Sequence, residues 1–391
     1  MNTIFTVLKK ELKDTLRDRR TLISAVIIPA LIIPLLLIGV TKLQRTLMKK
    51  EGDKQLKIAI IGNPENFRNH LEDSTFKMFT TYKLEDAKLA VSKDSLDAII
   101  EFQPNFFANV NDMKSGKMNL YYKSTNFMLY SRISEKLEII KSQILQERIQ
   151  KLNISEEALI PFSVTKVDIA TVKEQLGKMI GGFLPYIFII FCFTACMYPA
   201  IDLITGEKEK GTMETLLSSP ASRFQILIGK ILTISIVGLS AALMTIVGMV
   251  VGLKFLPDIP ADFLATINDI VSVKFIVMLF AMLIPLSIFF AGLLSAIVIR
   301  AKSFKEAQTM VTPMMFVIII PAMLALIPGV VLNWQTTFIP VLNIALATKE
   351  IIAGTINIAM YAAIVLSLIG FALLAAFISY KQFSKESMVL K

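Results

Sequence analysis

Charged residues are scarce in this chain of 391 residues. They make up 18% of the sequence, whereas 54% is hydrophobic; soluble domains have about 25% charged residues. Two cysteines, Cys192 and Cys196, cannot build a disulfide scaffold, and a single histidine, His70, excludes a His/Cys zinc cage. The cysteines lie four residues apart in an apolar run, which predicts packing on one helix face. The composition excludes a soluble, disordered or coiled-coil protein and indicates a membrane protein.

Six apolar stretches are long enough to cross a bilayer core, which needs about 20 helical residues. No small-x-small cleavage site follows the first stretch, so we expect a retained membrane helix rather than a signal peptide. Pro29 and Pro34 lie inside it and predict kinks rather than helix ends. The six predicted spans are 22–40, 179–204, 231–253, 274–299, 310–332 and 356–380.

The segment between the first two spans has a different composition. Residues 41–178 hold 22 Lys or Arg and 18 Asp or Glu, so 40 of the chain's 72 charges (41 basic and 31 acidic) lie there. Short runs typical of strands alternate with helical ones, which predicts an aqueous α/β domain inserted into an α-helical membrane bundle. Strands are predicted at 56–61, 96–102, 117–123 and 162–169, and helices at 65–79, 84–93, 105–114 and 127–152.

Lys and Arg in the short connections predict the orientation. Fifteen lie on one side of the bundle and three on the other, and positive residues accumulate in cytoplasmic loops. We expect a multi-pass protein of a bacterial cell membrane with both termini in the cytoplasm and no nucleic-acid partner, because the net charge of +10 follows from topology. The expected organisation is a cytoplasmic amphipathic helix at 1–20, a first transmembrane helix at 21–40, an extracytoplasmic α/β domain at 41–178, and a five-helix region at 179–391 with a cytoplasmic loop at 205–225.

Residues 1–20 have their own helical periodicity. Apolar residues recur at helical spacing while basic residues fall elsewhere on the wheel, which predicts a helix lying in the cytoplasmic interface of the lipid bilayer. An unstructured basic segment is the alternative. The apolar positions are Ile4, Phe5, Leu8, Leu12 and Leu16, and the polar ones are Lys9, Lys10, Lys13, Asp14 and Arg17.

No catalytic or nucleotide-binding motif is present in the sequence. Gly206 and Gly211 have the spacing of a phosphate-binding loop, but Thr212 stands where that loop requires lysine. Gly-x-Ser-x-Gly, His-Glu-x-x-His and calcium-loop patterns are missing as well. We therefore expect the chain itself to be no enzyme and to hold no cofactor or metal.

The connection after the second span carries the most informative pattern. It reads G-E-K-E-K-G-T-M-E-T-L-L-S-S-P over 206–220, and a second stretch reads K-S-F-K-E-A-Q over 302–308. By charge pattern alone the first would be solvated surface. Both stretches resemble segments of ABC-2 type permeases, the membrane subunits of type V ABC exporters. The layout of one amphipathic helix, one span, a large outer domain and five spans is similar to that family too.

The resemblance implies a role in ATP-driven export. A separate ATPase subunit would bind ATP and Mg²⁺, and two permease chains would enclose the translocation path. Within the family the chain looks most like the permease of a bacterial sodium-extruding system, which implies sodium transport; a lipid, antibiotic or peptide is the alternative cargo. The residues that match the ATPase-coupling motif are Glu207, Glu209, Gly211, Thr212, Glu214, Leu217 and Pro220, with Lys305 and Glu306 in the second cytoplasmic loop.

Few residues in the spans offer a polar site for cargo. Asp202 is the only acid inside or bordering a predicted span and is the speculative substrate residue, with interfacial placement as the ordinary explanation. Two other classes of protein stay open. A membrane sensor with an outer ligand-binding domain would need a signalling region, and an autonomous transporter would favour intramembrane charges and repeats. Neutral oxygens are available from Ser240, Thr245, Ser287, Ser295 and Thr312, which more often serve helix packing.

Overall fold

A computed structural model describes residues 3–62, 71, 74–123, 127–153, 181–255, 272–327 and 329–385. His70 and the strand predicted at 162–169 lie outside the described residues. The chain divides into two compact units, one formed by Met1–Thr41 with Asp168–Lys391 and the other by Lys42–Val167. We call them the membrane unit and the sheet unit.

Helices dominate the described elements. The helices are α1 Thr3–Thr15, α2 Arg19–Leu22, α3 Ile28–Asp53, α4 Leu84–Ser92, α5 Phe106–Asn111, α6 Phe127–Leu152, α7 Phe183–Ala200, α8 Glu207–Glu209, α9 Thr212–Leu217, α10 Arg223–Lys254, α11 Val273–Val298, α12 Phe304–Leu324, α13 Trp334–Thr337, α14 Leu342–Ala353 and α15 Ile358–Phe383. The strands are β1 Leu56–Ile61, β2 Phe76–Phe79, β3 Ala98–Phe102 and β4 Met118–Tyr122.

Six helical stretches in the described residues are long and apolar enough to cross a membrane, as hydropathy predicts. The first and second include several consecutive elements, because helical hydrogen bonding continues through π-helical segments. The six are Arg19–Asp53, Phe183–Glu209, Arg223–Gly252, Val273–Val298, Phe304–Leu324 and Ile358–Phe383.

Two π-helical segments in the described part of the chain, Ile23–Ile27 and Ile201–Gly206, lie close to prolines. Pro29 and Pro199 have no N–H to donate, which weakens the regular ladder around them. In the first segment the N–H of Ile28 donates to the carbonyl of Ile23, five residues back. The helix continues through Pro29 and Pro34, as predicted. The second segment carries Asp202 and leads directly into the coupling motif.

Small residues set the close helix contacts of the membrane unit. A Cβ atom on Gly238 of α10 would lie 2.3 Å from the Sγ of Cys196 and 3.3 Å from that of Cys192, both buried on α7. The prediction that the cysteines pack on one helix face is therefore confirmed. A Cβ on Gly292 of α11 would lie 2.9 Å from the backbone of α15. These helices approach each other more closely there than larger side chains would allow.

Helix α14 is an element that hydropathy did not predict. Its 12 residues are too few to cross a membrane, yet it is largely buried and packs against α7, α11, α12 and α15. The predicted fifth span at 310–332 is also wrong in its bounds: the helix is Phe304–Leu324. Ser303 caps its start by accepting a hydrogen bond from the N–H of Glu306, and a cap of this kind begins a helix before the apolar run does.

Among the described residues, the sheet unit has four strands in the order β2-β1-β3-β4, with β1 parallel to β2 and β3, and β3 antiparallel to β4. Helices α4, α5 and α6 and strands β1, β3 and β4 lie where the sequence predicts them. The helix predicted at 65–79 is wrong at its end, because Phe76–Phe79 forms β2. Phe76 and Met78 are buried beside β1, and that nonlocal pairing outweighs local helix preference.

Candidate functional site

The coupling motif folds into two short helices beside the second span. Helix α8 continues that span to Glu209, and Gly211 then turns the chain into α9 with a φ of +72°. Glycine adopts this left-handed conformation without steric cost. Met213 is buried in the core of the membrane unit and Leu216 packs against the same core. Helix α9 is thus anchored to the bundle by its apolar side.

The polar side of α9 faces away from the bundle. Glu214 is exposed, and in the described part of the chain no salt bridge involves its carboxylate. Thr212 is exposed as well, and its hydroxyl donates to the carbonyl of Glu207 over 3.2 Å. Pro220 is exposed beyond the helix end, and the side chain of Leu217 lies outside the described residues. This polar side is the part of the motif that is available to another protein.

Glu209 joins the two predicted cytoplasmic loops. Its Oε2 accepts a hydrogen bond of 2.8 Å from the N–H of Phe304, the first residue of α12. Glu306 is exposed and accepts from the N–H of Lys302 over 2.8 Å. Both carboxylates therefore lie at the positive end of the α12 dipole, where they are stabilising. Lys305 is exposed beside them, so the structure brings the two sequence motifs together.

The end of the second span also contacts the end of α11. The hydroxyl of Thr205 donates to the carbonyl of Val298 over 2.7 Å, and the Nζ of Lys208 donates to the carbonyl of Ile299 over 3.3 Å. These bonds satisfy carbonyls that the helix end leaves without a partner in the helix. The coupling segment, α8 with α9, is therefore connected to both the fourth and the fifth spans.

Glu207 points inward, into a closed arrangement of four charges. Lys230 Nζ lies 3.0 Å from Glu11 Oε1 and 2.8 Å from Glu207 Oε2, while Lys10 Nζ lies 3.2 Å from Glu11 Oε1 and 3.6 Å from Glu207 Oε1. The contact of Lys230 with Glu207 is an ion pair without hydrogen-bond geometry. Signs alternate around the arrangement, so all four neighbouring contacts are attractive. We call these four residues the charge ring.

The charge ring is buried on its inner side. The side chains of Lys230 and Glu11 are 0% and 1% exposed, that of Glu207 is 16% exposed, and that of Lys10 is 51% exposed. Burial works to lower the pKa of Lys10, but the charges of Glu11 and Glu207 outweigh it and hold the pKa above its ordinary value. Lys10 thus stays cationic at neutral pH.

Close backbone packing places α1 against the start of α10. Val7, Glu11 and Thr15 form a buried stripe at intervals of four residues, and a Cβ on Gly229 would lie 2.6 Å from Cγ1 of Val7. The predicted helix at 1–20 is present only in part, as α1 from Thr3 to Thr15, and its buried face is this stripe. Of the predicted apolar face, Phe5 and Leu16 are exposed.

The comparison with known families identifies the chain. A family model described as "ABC-2 family transporter protein" matches residues 19–380. The chain belongs to the ABC-2 transporter family. It is also 24% identical to the ABC transporter permease protein NatB of Bacillus subtilis (strain 168) over 367 residues, which cover 90% of each chain. No solved structure matches the chain. Membership of this family implies a separate ATPase partner.

The predicted cargo residues of the permease do not form one polar cluster. Asp202 is 40% exposed and lies 3.4 Å from Lys210 Nζ at the end of the second span. Ser295 is buried, and its hydroxyl has no hydrogen-bond partner among the described residues. The other predicted hydroxyls donate to carbonyls of their own helices, as in ordinary packing; these are Ser240, Thr245, Ser287 and Thr312.

Sequence reasoning missed the charge ring of the permease. Lys230 directly precedes the predicted span at 231–253, and neither Lys230 nor Glu11 is among the predicted site residues. One signal was available, since Lys230 is the only charged residue between Arg223 and Lys254. A lone charge in an apolar helix needs a partner. The partners, however, come from segments that only the fold brings together.

Proposed function

We propose that this permease is the membrane subunit of an exporter that extrudes sodium ions. Two copies would form the translocation path, and the separate ATPase subunit would bind ATP and Mg²⁺. The observation that carries the proposal is α9, whose buried Met213 attaches it to the bundle while Glu214 is exposed. The sodium cargo rests on the resemblance of the sequence to permeases of sodium-extruding systems.

The contacts of the coupling segment support a route from the ATPase to the spans. Displacement of α9 by ATPase closure would act on the second span through α8, on the fifth through Glu209 and on the fourth through Thr205. ATP can shift the bundle between inward- and outward-facing states only if the closed ATPase binds one state more tightly. Loops that include α9 would lie in the cytoplasm, and the sheet unit would lie outside the cell.

Export of an amphiphile is the second candidate function. Asp202 lies near the end of the second span and pairs with Lys210, which supports an interfacial role rather than that of a cation ligand inside the bundle. Spans with so few acids suit a lipid, an antibiotic or an apolar peptide. A sodium site would instead be built from hydroxyls and from carbonyls released near prolines, because Na⁺ binds neutral oxygens in such places.

Capture of the ATPase tests the proposed function. The tagged permease is purified from its native membrane in mild detergent, and the eluate is assayed for ATP hydrolysis. We expect a co-purifying ATPase with the wild type and its loss with Glu214→Lys, which inverts the exposed charge of α9. Glu147→Lys, which makes the same change on the exposed face of α6, is the matched control and should retain the ATPase. Isolation of wild-type permease without ATPase would contradict the exporter function.

Flux measurements then decide the cargo. The captured complex is reconstituted into vesicles, and ATP-dependent movement of radioactive sodium is measured. Sodium movement that requires ATP and is lost with Glu214→Lys supports sodium export. ATP hydrolysis that is stimulated by added lipid or amphiphile, without sodium movement, would replace sodium by the second candidate cargo.

A further inference from the structure

We propose that Lys230 is a positioning residue that holds α1, the coupling segment and the start of α10 together as one rigid unit. The role of Lys230 in transport rests on the proposed function above. The rigid unit does not depend on the ATPase and can be measured in the isolated permease. Helix α1 would then belong to the element that transmits ATPase motion, in addition to lying at the membrane surface.

The geometry of the charge ring carries this inference. Lys230 contacts Glu11 of α1 and Glu207 of α8 from the buried side, within 3.0 Å of each. If α8 moved away from α10, Glu207 would keep only Lys10, which is half-exposed, while Lys230 would lose one of its two counter-ions. Separating buried charges of opposite sign is strongly unfavourable, because neither recovers full hydration. The three elements therefore resist separation.

Uncharged contacts hold the same three elements. The close approach of Val7 to Gly229 fixes α1 against α10, and α9 follows α8 in the chain after only Lys210 and Gly211. By contrast, the coupling segment meets α12 through the exposed hydrogen bond between Glu209 and Phe304. Water can replace an exposed bond at little cost, so we expect motion at this joint rather than within the unit.

Hydrogen exchange in the full-length permease tests the rigid unit without any ATPase. Lys230→Met leaves two carboxylates beside one cation, whereas Lys230→Met with Glu11→Gln restores charge balance and keeps similar shapes. We expect the balanced double variant to recover the melting temperature, yet to exchange the amides of 207–217 at least about tenfold faster than the wild type. Amides of α11 serve as the internal reference and should be unchanged.

Two results of that measurement would overturn the proposal. Wild-type exchange rates at 207–217 in the balanced variant would show that Lys230 has only a structural role that charge balance restores. Equal acceleration in α11 would show general loosening rather than release of the coupling segment. If the balanced variant fails to fold, a cross-link between α1 and α10 tests whether these two helices move as one unit. The cross-link leaves the four residues of the charge ring unchanged.

The cross-link joins Val7→Cys to Gly229→Cys. A Cβ on Gly229 would lie 2.9 Å from the Cβ of Val7, and a disulfide needs about 3.5–4.5 Å, so a small outward shift permits the bond. The native cysteines are buried and do not compete. We expect the oxidised complex to hydrolyse ATP and transport within about twofold of the same protein after reduction, because a rigid unit loses nothing when its parts are joined.

The outcomes separate this inference from the proposed function. A loss of tenfold or more on oxidation, reversed by reduction, would show that α1 moves against α10 during the cycle and would overturn the rigid unit. If wild-type permease binds no ATPase, the proposed function fails, while hydrogen exchange at 207–217 still decides whether Lys230 holds the three elements together.

Discussion

Glu207 and Glu214 belong to one short motif but have opposite environments. Glu207 faces the bundle and contacts two lysines, whereas Glu214 is exposed on α9. The turn at Gly211 separates the two halves of the motif. A motif shared with a family therefore contains two kinds of residue: some hold the segment in place, and others are available to a partner. Substitutions in the two halves should have different consequences, which the following variants measure.

Lys230→Met should have the largest effect on the permease itself. In this variant Lys10 is the one cation of the charge ring left to pair with the carboxylates of Glu11 and Glu207. Removal of one partner of a buried ion pair costs about 3–5 kcal/mol. We expect a large loss of folded protein, measured by thermal unfolding in detergent. Lys254→Met removes an exposed lysine from the other end of α10 and should unfold like the wild type. Equal stability of both variants would contradict the buried charge ring.

Glu207→Gln should have the next largest effect on stability. It keeps the shape of the side chain but removes the negative charge that two lysines share, at a cost of about 1–3 kcal/mol. Glu214→Gln should change the free energy of unfolding by less than about 0.5 kcal/mol, as exposed substitutions do, but weaken ATPase binding. A reversed order in stability would show that the two environments are assigned the wrong way round.

Glu209→Ala should have a smaller effect, since its bond to Phe304 is exposed. Loss of a carboxylate at a helix N-terminus costs about 0.3–1 kcal/mol. We expect a slight fall in melting temperature and faster amide exchange over the first turn of α12. Glu306→Ala offers a comparison at the same helix end, because Glu306 bonds the N–H of Lys302 instead. Unchanged exchange in Glu209→Ala would mean that the two loops are not joined there.

The pH dependence of Lys10 should be the smallest effect. Its pKa is raised in the folded state, so its contribution to stability is complete below the ordinary lysine pKa and is lost as pH rises through the folded value. Wild-type stability should therefore decline at alkaline pH with a component that Lys10→Met lacks. Identical slopes for the two proteins between neutral and alkaline pH would show that Lys10 is not coupled to the charge ring.

Local pattern was enough to predict much of this fold. Apolar runs predicted six spans, and short runs typical of strands predicted β1, β3 and β4. Helix α14 was missed because the search for apolar runs looked for segments long enough to cross a membrane, about 20 residues. Its 12 residues are too few to meet that length. Strand β2 was missed because its state depends on pairing with β1. Each failure concerns an element that tertiary contacts define.

The candidate site was predictable in only one of its two halves. The motif indicates Glu214 as an ATPase-coupling residue, and the structure has it exposed on the short helix α9. The inward turn of Glu207 depends on Lys230 and Glu11, which are 23 and 196 residues away in the chain, so no local spacing could reveal it. The burial of these charges follows from the close approach of α1 and α10 at Gly229, which is a property of packing.

Protection of α9 from chemical labelling tests directly whether this helix binds the ATPase. Glu214→Cys is labelled with a polar maleimide in purified permease, with and without the co-purifying ATPase, and Glu147→Cys on α6 is labelled in parallel. We expect the bound ATPase to slow labelling at position 214 at least about tenfold and to leave labelling at position 147 unchanged. Equal labelling at position 214 with and without bound ATPase would contradict the assignment of α9 as the docking helix.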